Sequence, residues 1–114
     1  IFAPYNHDEY AASIIRPFVR EQCAWVVEKH GDFQMLYYGH LVGGNQNKRD
    51  AFKGHMYFED CANFCERWDQ SSFDPSYETK NIEFFREMVR EVFSRKPYDP
   101  DVIRVGEREP LFFE

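Results

Sequence analysis

The alternation of apolar and polar positions predicts helices along most of the chain. The apolar opening Ile1–Tyr5, with Pro4, reads as a loop. Tyr10, Ala11, Ile14 and Ile15 then form an i, i+1, i+4, i+5 stripe, the pattern of one helical face. Asn6 ahead of the stripe, with Glu9 three residues on, makes a capping-box-like start. Pro17 stops this helix or opens the next turn. A second helix is predicted from about Arg20 to Lys29, with Cys23, Val26 and Val27 on its apolar face. His30 extends that face, and Gly31 is placed to end the helix in a left-handed cap. A third short helix covers Phe33–Leu41 and is broken by Gly43-Gly44-Asn45.

The stretch Asn45–His55 is polar and basic and reads as a loop with at most a turn of helix. From about Tyr57 to Gln70 a clear helix returns, with Phe58, Cys61, Ala62, Cys65 and Asp69 on one stripe. An aspartate on an apolar stripe needs a partner. Phe73-Asp74-Pro75-Ser76 is a turn. Ile82, Phe85, Met88, Val89, Val92 and Phe93 line one side of a last helix, Ile82–Ser94. The pattern fades after Lys96-Pro97, leaving a tail from Tyr98 to Glu114 whose apolar end, Pro110 to Phe113, is a candidate docking element. The expected architecture is all-α, with one domain over 1–97 and a tail over 98–114.

Composition narrows the function. A 43% apolar and 18% aromatic content supports a packed core, which excludes a disordered chain. A net charge of -6 argues against a nucleic-acid backbone as the main partner, while leaving room for a small anionic substrate. No apolar run approaches the roughly 20 residues of a membrane span. Three cysteines, Cys23, Cys61 and Cys65, with no visible signal peptide, read as reduced thiols. Cytoplasm is the expected compartment, or an organelle if the N-terminus is processed. Cys61 and Cys65, one turn apart, are expected to face the core rather than a metal.

Three polar residues stand on faces expected to be buried: His7, His30 and Asp69. Imidazole and carboxylate are the donors that iron, manganese and zinc prefer. His40 and His55 sit in polar segments and read as surface or supporting groups. Lys48, Arg49 and Lys53 offer cations for an anion, or simply a solvated basic loop. Gly43-Gly44-Asn45 is not a phosphate loop.

The run Asn6-His7 through Ile15-Arg16-Pro17-Phe18-Val19 is similar to the middle helices of HD-domain metalloproteins. WVVEKHGDFQ, Trp25 to Gln34, resembles the next helix with its terminal histidine. FCERWDQSSFDPSYET, Phe64 to Thr79, is the most specific match, followed by NIEFFREMVREVF. The resemblance covers about Ile1 to Pro97. It is nearest to a bacterial-type group related to the phosphonate-cleaving HD oxygenases, and more distant from myo-inositol oxygenase.

The resemblance implies a helical bundle holding one or two metals, with His7 and His30 as the two later histidine ligands and Asp69 as the final aspartate. It also implies an adjacent His-Asp pair earlier in the chain. His7-Asp8 is the one His-Asp dipeptide here, and its surroundings match the later histidine instead. The N-terminal helices with the pair are thus expected upstream of Ile1, on a complementary segment or partner chain. Oxygenases of this type often bind substrate through a lysine one turn after the second histidine; Gln34 stands at that place. A phosphonate or inositol substrate therefore does not carry over from the resemblance, and the candidate substrate contacts are Gln34 by its place and Lys48 and Arg49 by their charge.

The leading expectation is part of a diiron oxygenase acting on a small polar or anionic substrate, with two iron ions in the complete domain. A phosphohydrolase using manganese or another divalent metal keeps the same ligands. A non-catalytic HD-like remnant, acting as an accessory or structural subunit, is the third reading.

Overall fold

A computed structural model describes residues 6–42, 44, 46–69 and 82–110; at 37–42, 68 and 69 the description stops at the backbone. Every regular element among them is helical. Helix α1, His7–Ile15, runs into a 3-10 turn, Arg16–Phe18. Helix α2 spans Glu21–Val42, and a 3-10 turn follows at Lys48–Phe52. Helix α3, Phe58–Phe64, continues as a π-helical turn over Cys65–Asp69. Helix α4, Ile82–Phe93, and the short α5, Pro100–Ile103, complete the order.

Asp8 and Glu9 place negative charge in the first turn of α1, where the helix dipole favours it. The expected capping box does not form, since the Asn6 side chain makes no cap bond; its backbone carbonyl accepts from the Tyr10 amide at 3.0 Å. Pro17 ends α1 as expected, inside the 3-10 turn that precedes extended Val19.

The largest difference from the sequence reading lies at Gly31. Instead of capping a helix it sits inside α2, which joins the two helices expected on either side. Gly31 serves close packing: a Cβ there would fall 2.5 Å from Asp8 Oδ2 on α1. The lost side chain leaves room for the Asp8 carboxylate of α1 against α2, at a propensity cost of about 1 kcal/mol that a long, packed helix absorbs.

Val26 and Phe33 from α2 meet Cys61 from α3 and Cys65 from the π turn in the core, flanked by Trp25, Phe52, Phe58, Ala62 and Phe64. Phe33 stacks on Phe52 with ring centroids 6.2 Å apart and meets Phe58 at 5.1 Å. The basic loop thus contributes Phe52 to the core. Burying such rings supplies much of the driving force in a domain of this size.

Helix α4 is not buried on its apolar side. Ile82, Phe84, Phe85, Met88, Val89 and Phe93 are all exposed, Ile82 at 73%. The helix is tied at its C-terminal end. Phe93 meets Phe18 edge-on at 5.1 Å, Arg95 Nη1 donates to the Phe18 carbonyl at 2.9 Å, and the Tyr98 amide donates to the Pro17 carbonyl at 2.7 Å. The radius of gyration, 15.1 Å, exceeds the about 13 Å of a compact chain this long.

The tail is more ordered than its fading pattern suggests. Asp99 caps α5 by accepting from the Asp101 amide at 3.0 Å, with Pro100 in the first turn. Arg104 in the left-handed region and Gly106 at φ +75° then turn the chain back. Residues 106–109 run as a strap bonded to α2 and α3. Of the candidate docking element only Pro110 is among the described residues, as is no part of the turn at 73–76.

Candidate functional site

His7 is the first residue of α1 and is exposed, whereas His30 lies within α2 and is half-buried. The close α1–α2 packing at Gly31 brings them together. Their ring centroids are 5.5 Å apart, at 70° to one another. Two imidazoles bonded to one ion at about 2.1 Å have centroids roughly 5 Å apart, a separation close to the one seen here. His30 Nδ1 lies 2.5 Å from the Val27 carbonyl. A carbonyl only accepts, so Nδ1 donates in this contact and Nε2 is the ring nitrogen left for another partner.

The segment bearing Asp69 starts from the same place. Cys65 donates its thiol hydrogen to the His30 carbonyl at 3.6 Å, and the Phe64 ring lies 6.4 Å from the His30 ring. Asp69 closes the π turn that Cys65 opens; its side chain lies outside the described residues. Such π turns inside helices occur often at functional sites. Among the described residues no group of three or more His, Cys, Asp or Glu is arranged to hold a metal. The described donors are therefore two.

The other candidates have local partners. Lys48 Nζ lies 3.5 Å from Asp32 Oδ1, and Arg49 sits over the Phe58 ring at 5.8 Å. Gln34 follows His30 by one turn of α2, and its Oε1 is buried. His55 stacks on Trp25 at 4.3 Å and accepts from the Tyr57 amide at 3.1 Å. Lys53 pairs with Asp50 at 3.5 Å. The His40 side chain is outside the described residues. Cys61 and Cys65 are buried free thiols. Hydrogen bonding to Cys65 and burial push the Cys61 thiol well above its ordinary range, so it stays a thiol in the core.

Two features were missed at the sequence level. The Asp8 carboxylate lies against Gly31, next to His30, and so belongs to the surroundings of the histidine pair. Its signal was the His-Asp dipeptide itself. The second is a buried polar network, Gln22–Asp60–Arg108, with Gln22 0% and Asp60 2% exposed. The partners lie 38 and 48 residues apart in sequence, and no local pattern announces them. An open pocket of about 480 Å³ is lined by three arginines, Arg20, Arg95 and Arg104, with Asp101 and the apolar Val19, Cys23 and Val102. It sits near the start of α2, with the guanidinium groups of Arg20, Arg95 and Arg104 already paired with glutamates.

The chain matches no family model, no characterised protein and no solved structure. The described residues contain no helix long and apolar enough to cross a membrane.

Proposed function

We propose that this chain is part of an HD-type metal-dependent enzyme, a diiron oxygenase for a small polar or anionic substrate. His7 and His30 are two of its metal ligands and Asp69 is a third. The observation that carries this reading is the His7–His30 pair, 5.5 Å apart between ring centroids, with His30 Nδ1 tied to the Val27 carbonyl. A buried edge-on aromatic pair has a packing explanation, but His7 is exposed. An imidazole pair open to solvent on one side is suited to receive an ion. The remaining ligands, an adjacent His-Asp pair, come from a complementary HD segment or partner chain.

In that site the chain's own residues bind and orient. Val27 fixes the His30 tautomer and ring direction, the usual role of a group behind a ligating histidine. Gly31 leaves room beside His30 for the carboxylate of Asp8, the residue after His7. Two bound irons would supply dioxygen binding and activation.

The test is elemental analysis of the isolated protein with its intact mass, followed by turnover assays. Iron with oxygen uptake supports the reading. Phosphate release from phosphate esters with manganese, without oxygen uptake, would move the same ligands to hydrolysis. No metal at a mass matching this 13.7 kDa chain would refute a catalytic role for it.

A further inference from the structure

The strap at 106–109 is held as a peptide is held in a receptor. The Gln22 carboxamide grips one residue of backbone at both ends: its Nε2 donates to the Glu109 carbonyl at 2.7 Å, and its Oε1 accepts from the Glu109 amide at 3.0 Å. Tyr57 donates its hydroxyl to the Glu107 carbonyl at 2.7 Å, and Glu21 accepts from the Gly106 amide at 2.7 Å. These contacts read main-chain groups, from the Gly106 turn through Glu109, and are blind to side chains.

Sequence is read at one point. The Arg108 guanidinium meets Asp60 through two parallel bonds, Nε to Oδ2 at 2.9 Å and Nη2 to Oδ1 at 2.7 Å. That fork geometry suits arginine and not lysine. Asp60 is 2% exposed, and Gln22 donates to it at 2.8 Å. A neighbouring carboxylate adds a preference, since Glu109 pairs with Arg20 at 2.8 Å and with Arg104 at 2.5 Å. Residues 107–110 are themselves exposed, so the strap is held from one side. Arg104 adds contacts from the turn before it, its carbonyl accepting from the Glu107 amide at 3.2 Å and its Nε lying 3.8 Å from the Glu107 carboxylate.

We propose that Glu21, Gln22, Tyr57 and Asp60 form a recognition groove for an extended peptide carrying arginine followed by an acidic residue, occupied in this chain by its own residues 106–109. Main-chain bonds supply affinity, and the Asp60 pocket supplies the arginine requirement. The linked strap is present at an effective concentration in the millimolar range, so an outside peptide enters only when the strap is loosened.

The experiment uses the full chain carrying Gly106→Pro. Proline has no amide hydrogen for Glu21 and holds φ near about -65°, so the strap is displaced while the groove residues remain. The probe is a fluorescein-labelled peptide of residues 105–110, Val-Gly-Glu-Arg-Glu-Pro, followed by anisotropy. Saturable one-to-one binding is expected, weakened about tenfold or more by alanine for the peptide arginine or by Asp60→Asn in the protein, the scale of a lost charged bond. The unmodified chain should bind about tenfold or more weakly than the Gly106→Pro chain. No binding to a folded Gly106→Pro chain in the millimolar range, or binding indifferent to the peptide arginine, overturns the proposal. If Gly106→Pro does not fold, Arg108→Ala replaces it with the same expected outcomes. Failure of both variants to fold would make the strap an integral part of the core and also overturn the proposal.

Discussion

Gly31→Ala probes the helix contact that sets the histidine pair. The new methyl carbon would lie 2.5 Å from Asp8 Oδ2 and 3.2 Å from Asp8 Cγ, inside the about 3.5–4.0 Å of favourable carbon contact. The nearest atoms all belong to the Asp8 side chain, so moving that side chain relieves the clash. Holding it off its preferred rotamer costs about 0.5–1.5 kcal/mol. Against it stands a gain of about 1 kcal/mol from alanine inside a helix. The two nearly cancel, so Gly31→Ala should stay within about 0.5 kcal/mol of the parent. In an Asp8→Ala background the methyl meets no carboxylate and only the gain remains, so Gly31→Ala should stabilise by about 1 kcal/mol. The coupling between the two sites is then about 0.5–1.5 kcal/mol. Thermal and urea denaturation of the four proteins, followed by circular dichroism, measures it. An effect of Gly31→Ala that is the same with and without Asp8→Ala would refute the close contact.

Other outcomes follow from the same geometry. Half-buried Cys23 should react with a thiol reagent in the native chain, while Cys61 and Cys65 react only on unfolding, because they are buried and the Cys61 thiol is pushed up; rapid native reaction of all three would contradict this. The hydrogen bond and charge of Arg104, with help from Arg20, hold the Glu109 carboxyl below its ordinary range. A carboxyl lowered on folding contributes stability that is present above its unfolded value and lost as pH falls through its folded value. Wild type should therefore exceed Glu109→Gln in urea stability at neutral pH and converge with it below about pH 4; an equal difference at both pH values would contradict the pairing. Tyr57→Phe removes the bond to the Glu107 carbonyl and should cost about 1 kcal/mol. In an alkaline absorbance titration Tyr57 should ionise above the ordinary tyrosine range, since burial and then Glu21 push it up; the absence of a late-titrating tyrosine would contradict that environment.

Local signals made much of the fold legible. The stripe Tyr10–Ile15 with Pro17 located α1 because periodicity and a helix breaker agree. Phe58, Cys61 and Cys65 located α3 because their common face is where the core lies. Gly31 misled, because glycine marks a helix end and a close helix crossing equally well; only the partner, Asp8 on another helix, distinguishes them. For α4 the sequence pattern predicted the helix and its apolar side, while the surroundings of that side are tertiary information. The strap stayed hidden because its bonds to Gln22, Tyr57 and Asp60 span 48 to 87 residues. Of the candidate site, residue types and helical positions marked His7 and His30, but their approach needs the packing of α1 on α2.

The most direct test of the central claim is a cobalt titration of the full chain, followed by visible absorption, compared with His7→Ala, His30→Ala and the double variant. A saturable signal with a histidine-bound spectrum is expected, weakened about tenfold or more by either substitution and abolished by both. Wild-type binding no tighter than that of the folded double variant would contradict a metal held between His7 and His30.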